Sequence, residues 1–357
     1  MRPACIQFAH VLAWLLMGMA GTALGAVDRA APSRPVPNVR LAGLEYLDAA
    51  AFGARFGLTG SPAADGRTLT LKSAWHQLEL EADTRGIRLN GVRIFLGEPV
   101  RLARGRLQLG RIDAEKLLTP LLRPGAGEAQ LPLVRTILLD PGHGGNDPGM
   151  QNRRLGLDEK TLALDTVLRL KPLLEAQGFT VALTRGDDRQ LARSKAEDLQ
   201  ARAALTARTN ADLFISVHYN SVESGADRVS GVEVYTLTPQ FQYSHSDPER
   251  ADSTVGIANL GNRHDHWNSL LGYEVHRELL RELKASDRGL KRGRLAVLRL
   301  ASCPAVLVEA GFLSNDTEAA KIATPAYRQQ VAVAIAEAVR KYAAALEGVR
   351  RQRADQP

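Results

Sequence analysis

The sequence predicts an α/β fold, a twisted sheet with helices on both faces, preceded by a small α+β domain. Two observations predict it. From Arg135 onward, apolar runs of strand length alternate with stretches of helical period, the pattern of a doubly wound sheet. In addition, Ile137-Leu138-Leu139, Phe214-Ile215-Ser216-Val217 and Val306-Leu307-Val308 each lead into a side chain able to bind a metal or move a proton. Such runs read as buried parallel strands, and in open α/β sheets ligands gather outside the carboxyl ends of the strands. Two His and one Glu brought to one sheet edge point to a metal-assisted hydrolase.

Composition agrees with a soluble enzyme. The 357 residues are 45% hydrophobic and 24% charged, ordinary for globular chains and enough for two cores. Net charge is +7 and the pI about 9.6. This favours an anionic partner: a cell-wall polymer, an anionic membrane face or nucleic acid. Arg is spread along the chain without an aromatic-interleaved basic tract, so nucleic acid is disfavoured.

Residues 1–26 read as a secretory signal. Arg2 precedes the uncharged run from Val11 to Ala20, and Ala23-Leu24-Gly25-Ala26 offers small residues for cleavage. The stretch from Pro3 to Val27 is long enough to span a bilayer. Its small-residue end and the Pro-rich segment after it favour cleavage, hence a periplasmic or secreted protein without stable membrane insertion. Only Cys303 then remains, so the fold stands without an internal disulfide.

Residues 27–39, rich in Pro, Arg and Ala, form a linker, and residues 40–123 a compact unit suited to cell-wall binding or positioning. In that unit Glu45 to Phe56 is expected to be helical. Thr68 to Leu71, Gln77 to Glu81 and Gly86 to Leu89 alternate as half-buried strands, and Asn90-Gly91 marks a hairpin. Asp113 to Leu118 reads as a closing helix. Residues 124–134, beginning Pro124-Gly125, are a second linker, so residues 130–357 are expected to act on a soluble substrate alone. In the catalytic domain, residues 135–347, strands are expected at Thr136 to Asp140, Phe179 to Thr184, Asp212 to Val217, Val232 to Leu237, Leu295 to Leu298 and Ala305 to Glu309. Helices are expected from Asp158 to Gln177, Leu199 to Thr209, Leu270 to Lys284, and Thr324-Pro325 to about Leu346. Residues 348–357 read as a charged, frayed tail. The stretch between Leu237 and Leu270, with His245, His264, His266 and Trp267, has weak periodicity and reads as a long functional loop.

His143 sits among Gly142, Gly144 and Gly145, which let the backbone turn tightly, and Asp140 is placed to orient its ring. His218 ends the second run. Glu159 opens a helix after the His143 loop; alone it reads equally as a carboxylate favoured by the helix dipole. Two His and a Glu with a fourth position open is the pattern of catalytic zinc. Glu309 closes a wholly apolar strand, where a carboxylate is costly unless it is used. It is the candidate proton carrier, with a pairing to Arg294 or Arg299 as the plain alternative. Asn220, two residues past His218, is a candidate substrate contact.

Thr136 to Gly149 (TILLDPGHGGNDPG), Glu159-Lys160, Ser216 to Ser221 (SVHYNS), Gly231 to Leu237 (GVEVYTL) and Pro304 to Asn315 (PAVLVEAGFLSN) closely resemble the zinc-dependent N-acetylmuramoyl-L-alanine amidases of the amidase-3 type. The resemblance runs from about Arg135 to Tyr342. It implies a mixed six-stranded sheet, zinc ligands at His143, Glu159 and His218, and a catalytic glutamate at Glu309. It also implies hydrolysis in peptidoglycan of the amide between N-acetylmuramic acid and L-alanine, for wall remodelling or daughter-cell separation. Several periplasmic members carry an acidic regulatory helix that blocks zinc until an activator protein displaces it; residues 238–270 occupy that place without a clear long helix. The N-terminal unit faintly resembles the domain named after copper amine oxidases, but its single His and lack of Cys imply no copper site. The competing readings are a carboxypeptidase-like zinc peptidase, for which no motif singles out a carboxylate-binding Arg, and a catalytically inactive wall-binding protein, disfavoured because all four positions are filled.

Overall fold

A computed structural model describes residues 35–126, 130–245 and 253–355. The secretory segment 1–26 and the first part of the linker lie outside the described residues. Among the described residues no helix is long and apolar enough to cross a membrane.

The N-terminal stretch contributes β1 (Asn38–Leu41), β2 (Leu44–Asp48), α1 (Ala49–Ala54), β3 (Thr68–Lys72), β4 (Gln77–Glu81), β5 (Gly86–Leu89), β6 (Val92–Phe95), β7 (Arg101–Ala103) and β8 (Arg106–Gly110). The helix expected over Glu45 to Phe56 is half strand. Leu44–Asp48 pairs with both β1 and β8, and the helix starts only where the Asp48 carboxylate accepts from the Ala51 N–H at 2.8 Å. The Asn90-Gly91 hairpin forms between β5 and β6, with both residues in the left-handed region (φ 53° and 81°), as a two-residue turn requires. Residues 111–122 are helical throughout, as α2 (Arg111–Asp113), a π turn (Ala114–Leu118) and α3 (Thr119–Leu122).

The remainder alternates as expected: β9 (Thr136–Pro141), β10 (Gln151–Asn152), β11 (Leu157–Asp158), α4 (Glu159–Ala176), β12 (Thr180–Leu183), α5 (Lys195–Arg208), β13 (Leu213–Asn220), β14 (Val232–Leu237), α6 (Asp265–Leu283), β15 (Asp287–Gly293), α7 (Ala296–Leu300), β16 (Ala305–Phe312), α8 (Asp316–Ile322) and α9 (Pro325–Ala354). The helix expected to end near Leu346 runs on to Ala354, with Arg350 donating to the Pro132 carbonyl. The strand expected at Leu295 to Leu298 is the short helix α7. The strand lies earlier, at Asp287–Gly293, where the charged sequence DRGLKRG hides a segment whose last five residues are buried.

The main sheet has the order β12-β9-β13-β16-β14-β15-β6-β5-β4-β3. Strands β12, β9, β13 and β16 are parallel. Strand β14 runs antiparallel to β16, so the sheet is mixed. Alternate residues face opposite ways. Ile137, Leu139, Ile215, Val217, Val306 and Val308 join one core with residues of α4, α6 and α9. Leu138, Phe214 and Leu307 join a second with Val297 and Leu298 of α7, against which Leu199 and Leu205 of α5 pack. The first core continues without a break into Leu69, Leu78, Ile87 and Ile94 of the N-terminal strands.

The seam is made at β15, which pairs with β6 at Leu290 and Ile94. Between Val232 and Val234 the register of β14 against β15 slips by one residue, so Arg288 and Gly289 oppose Glu233. Gly289 has φ 98°, and a Cβ there would lie 2.6 Å from the Phe95 ring. Only glycine allows the two units to close this tightly.

Candidate metal centre

Strand β9 carries the chain to Gly142 and His143. A Cβ on Gly142 would fall 2.2 Å from the His218 ring, so the bare backbone is what lets the two imidazoles approach. His143 holds φ 60°, uncommon for a non-glycine residue, and two buried arginines grip the loop that imposes it. Arg202 donates to the carbonyls of Pro141 (2.8 Å) and His143 (2.5 Å). Arg185 donates to those of Pro141, Gly142 and Lys160 at 3.0, 2.8 and 2.9 Å. Arg185 thereby ties the residue before His143 to the residue after Glu159.

His143, Glu159 and His218 converge, with one ligand atom from each lying within 4.8 Å of the others. Glu159 Oε2 is 3.1 Å from His143 Nε2, and Oε1 is 2.8 Å from His218 Nδ1. Its oxygens also accept from the backbone N–H groups of Met150 and Tyr219. Burial alone would raise the Glu159 carboxyl, but the hydrogen bonds with His143 and His218 win and hold it well below the usual carboxylate range. Two imidazoles and a carboxylate that stays ionised form a donor set that fits a divalent transition metal.

Two expectations about neighbouring residues need correction. Asp140 does not orient His143. It accepts from Thr184 (2.6 Å), Ser216 (2.7 Å) and Arg202 (2.8 Å), and so anchors the arginine that holds the loop. Burial would raise its carboxyl, but the Arg202 charge and the two hydroxyls keep it low. The carboxylate beside His143 is Asp147, with Oδ2 2.9 Å from Nδ1; four residues on within the same Gly-rich loop, it was readable as a candidate. The second concerns the start of the helix that ends the long loop. Among the described residues the loop's His side chains join no metal group: His245 packs on Phe95 at 4.2 Å, His264 lies 3.0 Å from the Ser302 carbonyl and His266 2.9 Å from that of Pro124. Trp267 donates to the Gln130 carbonyl. The last third of this segment is helical, since a 3-10 turn at Leu260–His264 leads into α6, which begins at Asp265 and not at Leu270.

Glu309 stands opposite His218 across the parallel pair β13–β16 and opposite Glu233 across β14–β16. Its Oε2 is buried with no hydrogen-bond partner, and Arg294 instead donates to the Gln242 carbonyl. Burial, then the Glu159 and Glu233 carboxylates, push the Glu309 carboxyl well above the usual range. A carboxyl with one enclosed, unbonded oxygen, beside a group of side chains that could hold a metal, is equipped to take up a proton.

Glu233 was missed, although a carboxylate inside the apolar run Val232 to Leu237 carries the same signal as Glu309. It is 2% exposed and accepts from Arg288 Nε (2.8 Å), Lys291 Nζ (2.7 Å), Tyr235 (2.8 Å) and Asn220 Nδ2 (3.2 Å). Asn220 is thus committed to Glu233, at the margin of the site.

The family model described as N-acetylmuramoyl-L-alanine amidase matches residues 137–341, which takes in all three metal-facing residues and Glu309. The chain belongs to this family. Among similar amidases, N-acetylmuramoyl-L-alanine amidase AmiC of Neisseria meningitidis is 31% identical over 248 residues, covering 64% of this chain and 57% of that one. The germination-specific N-acetylmuramoyl-L-alanine amidase of Bacillus subtilis is 31% identical over 222 residues, covering 59% and 81%. The solved amidase AmiC2 of Nostoc punctiforme is 31% identical, covers 58% of this chain and 96% of that chain, and superposes with a TM-score of 0.47. The chain spans only 35%, 57% and 58% of the length of three of the curated amidase relatives it matches.

Proposed function

We propose that this protein is a zinc-dependent hydrolase of the amide between N-acetylmuramic acid and L-alanine in peptidoglycan, exported to the periplasm or beyond the cell and acting in wall remodelling or daughter-cell separation. The reading rests on one juxtaposition: a half-buried Glu309 whose Oε2 is enclosed without a hydrogen-bond partner, in register with His218, beside a His–Glu–His set able to hold a metal, in a chain of the amidase family. The basic pI of about 9.6 suits an anionic wall polymer. In this reading residues 135–347 carry the chemistry and residues 40–123 position the enzyme on the wall.

His143, Glu159 and His218 would hold the zinc, which supplies a Lewis acid and a nucleophilic hydroxide near neutral pH. Asp147 fixes the His143 ring, and Arg185 and Arg202 fix the loop and helix start that carry His143 and Glu159. Glu309 accepts the proton of the attacking water and delivers it to the departing L-alanine nitrogen, so one group serves as base and then acid. The carboxypeptidase-like and inactive-binder readings predict different products. Digestion of purified muropeptides with mass spectrometry should show loss of the intact stem peptide from N-acetylmuramic acid. Chelation should abolish this and added Zn²⁺ restore it. Full activity in metal-free protein, or release of single C-terminal residues only, would refute the proposal.

A further inference from the structure

Four adjacent strands, β13, β16, β14 and β15, carry a row of polar side chains across the apolar sheet. His218 on β13 stands opposite Glu309 on β16, Glu309 opposite Glu233 on β14, and Glu233 opposite the bulge of β15 that holds Arg288. Three of these groups have a role or a full set of partners. Arg288 does not. Its Nε donates to Glu233 at 2.8 Å, and its guanidinium lies over the Phe312 ring, 5.0 Å from the centroid. These two contacts fix the group. Among the described residues its two Nη atoms have no acceptor, while the side chain is 34% exposed.

The Glu233 carboxylate does not depend on Arg288 alone, since Lys291, Tyr235 and Asn220 also donate to it. The buried Glu318 carboxylate adds its charge nearby, yet Arg288 is bonded only at Nε and stacked on a ring, which leaves the Nη edge of its fork open. A planar fork with paired free N–H groups matches a carboxylate in bidentate geometry. We propose that Arg288 recognises a free carboxylate of the stem peptide, on the leaving-group side of the scissile amide.

The spacing fits this. Strands lie about 4.8 Å apart, so the bulge is about 10 Å from Glu309, and the arginine side chain spans much of that gap. A peptide residue extends about 3.5 Å. The carboxylate in reach belongs to the residue just beyond L-alanine. The proposal rests on the amidase reading above and names the substrate feature that the same site selects.

The test uses the full zinc-loaded protein and two soluble substrates, N-acetylmuramoyl-L-alanyl-D-isoglutamate and its isoglutamine counterpart, each with the γ-carboxyl capped as the methylamide, as are the dipeptide inhibitors below, so that α-carboxylate against α-carboxamide is the only difference and no second carboxylate competes. Wild type should prefer the carboxylate. Arg288→Met should lose about 10- to 100-fold in kcat/KM on the carboxylate, mostly through KM, as expected for a charge-assisted pair. It should lose much less on the carboxamide, so that the preference collapses. Arg288→Lys should recover part of the preference. Equal losses on both substrates would mark Arg288 as structural only and overturn the proposal, as would a wild type without preference. A measurement on wild type alone guards against misfolded variants: L-alanyl-D-isoglutamate should inhibit more strongly than L-alanyl-D-isoglutamine, and equal inhibition would overturn the proposal. If wild type cuts the muramyl amide of neither substrate, the amidase reading falls first, an outcome distinct from a lost preference.

Discussion

Strand β16 has two unlike flanks. On one side β13, β9 and β12 run parallel, each an apolar run whose tip holds or adjoins a working side chain. On the other, β14 turns antiparallel, β15 is bulged and rich in charge, and β6 arrives from the N-terminal unit. The first flank brings together His143, Glu159 and His218, which could hold a metal, on a loop and helix start braced by Arg185 and Arg202. The second makes a buried polar network around Glu233 and a seam between units. Chemistry is concentrated on the flank built from consecutive βα segments, because parallel strands bring their carboxyl ends to one edge. The flank assembled from distant segments shapes what surrounds that edge.

Five substitutions test this contrast. The largest effects belong to the metal flank. His218→Ala should lose the metal, measured by bound zinc per chain. Glu309→Ala should keep zinc and fold while losing roughly 10²–10⁴ in kcat; a near-wild-type rate would show that the proton carrier lies elsewhere.

Next comes the seam. Ile94 is wholly buried, and Ile94→Ala should cost about 2–5 kcal/mol. The core it joins also holds Ile137 of the metal flank, so calorimetry should show one cooperative transition that shifts as a whole. Two transitions, with only one moved by Ile94→Ala, would show the flanks to be independently stable. For the same reason residues 130–357 alone would bare the edge of β15 and should be prone to aggregation, which alters the expectation that they act unaided.

A smaller effect separates orientation from ligation. Asp147→Ala removes the carboxylate beside His143 without touching a ligand. It should weaken zinc affinity about 10- to 100-fold in competition with a chelator and leave the melting temperature of the metal-free protein nearly unchanged.

The smallest effect is a pH dependence on the seam. Asp287 lies 2.8 Å from His276 Nε2 and accepts from the Arg93 backbone N–H at 2.8 Å, joining β15 to α6 and β6. Burial would raise its carboxyl, but the His276 hydrogen bond and charge hold it below the ordinary value. A depressed carboxyl contributes stability above its unfolded value of about 3.9, and that contribution is lost as pH falls through this region toward the folded value. Asp287→Asn should therefore lower stability by about 1 kcal/mol at pH 7, with the difference from wild type shrinking below about pH 4. A pH-independent difference would assign the effect to packing.

That His143, Glu159, His218 and Glu309 come together was legible, because three of them end or follow a buried run in which a polar group is conspicuous and Glu159 opens the helix after the His143 loop. Val232 to Leu237 was legible as a strand to the residue, yet its Glu233 went unread, since its partners Arg288 and Lys291 lie more than 50 residues on. Strand β15 was hidden for a related reason. Its charges read as loop, and their pairing with Glu233, Asp113 and His276 exists only once the chain has folded.

The sequence by itself determined the alternation of strands and helices, the strand tips that carry the ligands, and the hairpin at Asn90-Gly91, all set by apolar period and backbone stereochemistry within short windows. Only the tertiary structure decided that Asp147 and not Asp140 serves His143, that two buried arginines brace the ligand loop, and that β6 extends the catalytic sheet through β15. Those outcomes depend on which distant groups meet. A buried charge or an open strand edge is stabilised by whatever partner packing supplies, and no local pattern names that partner.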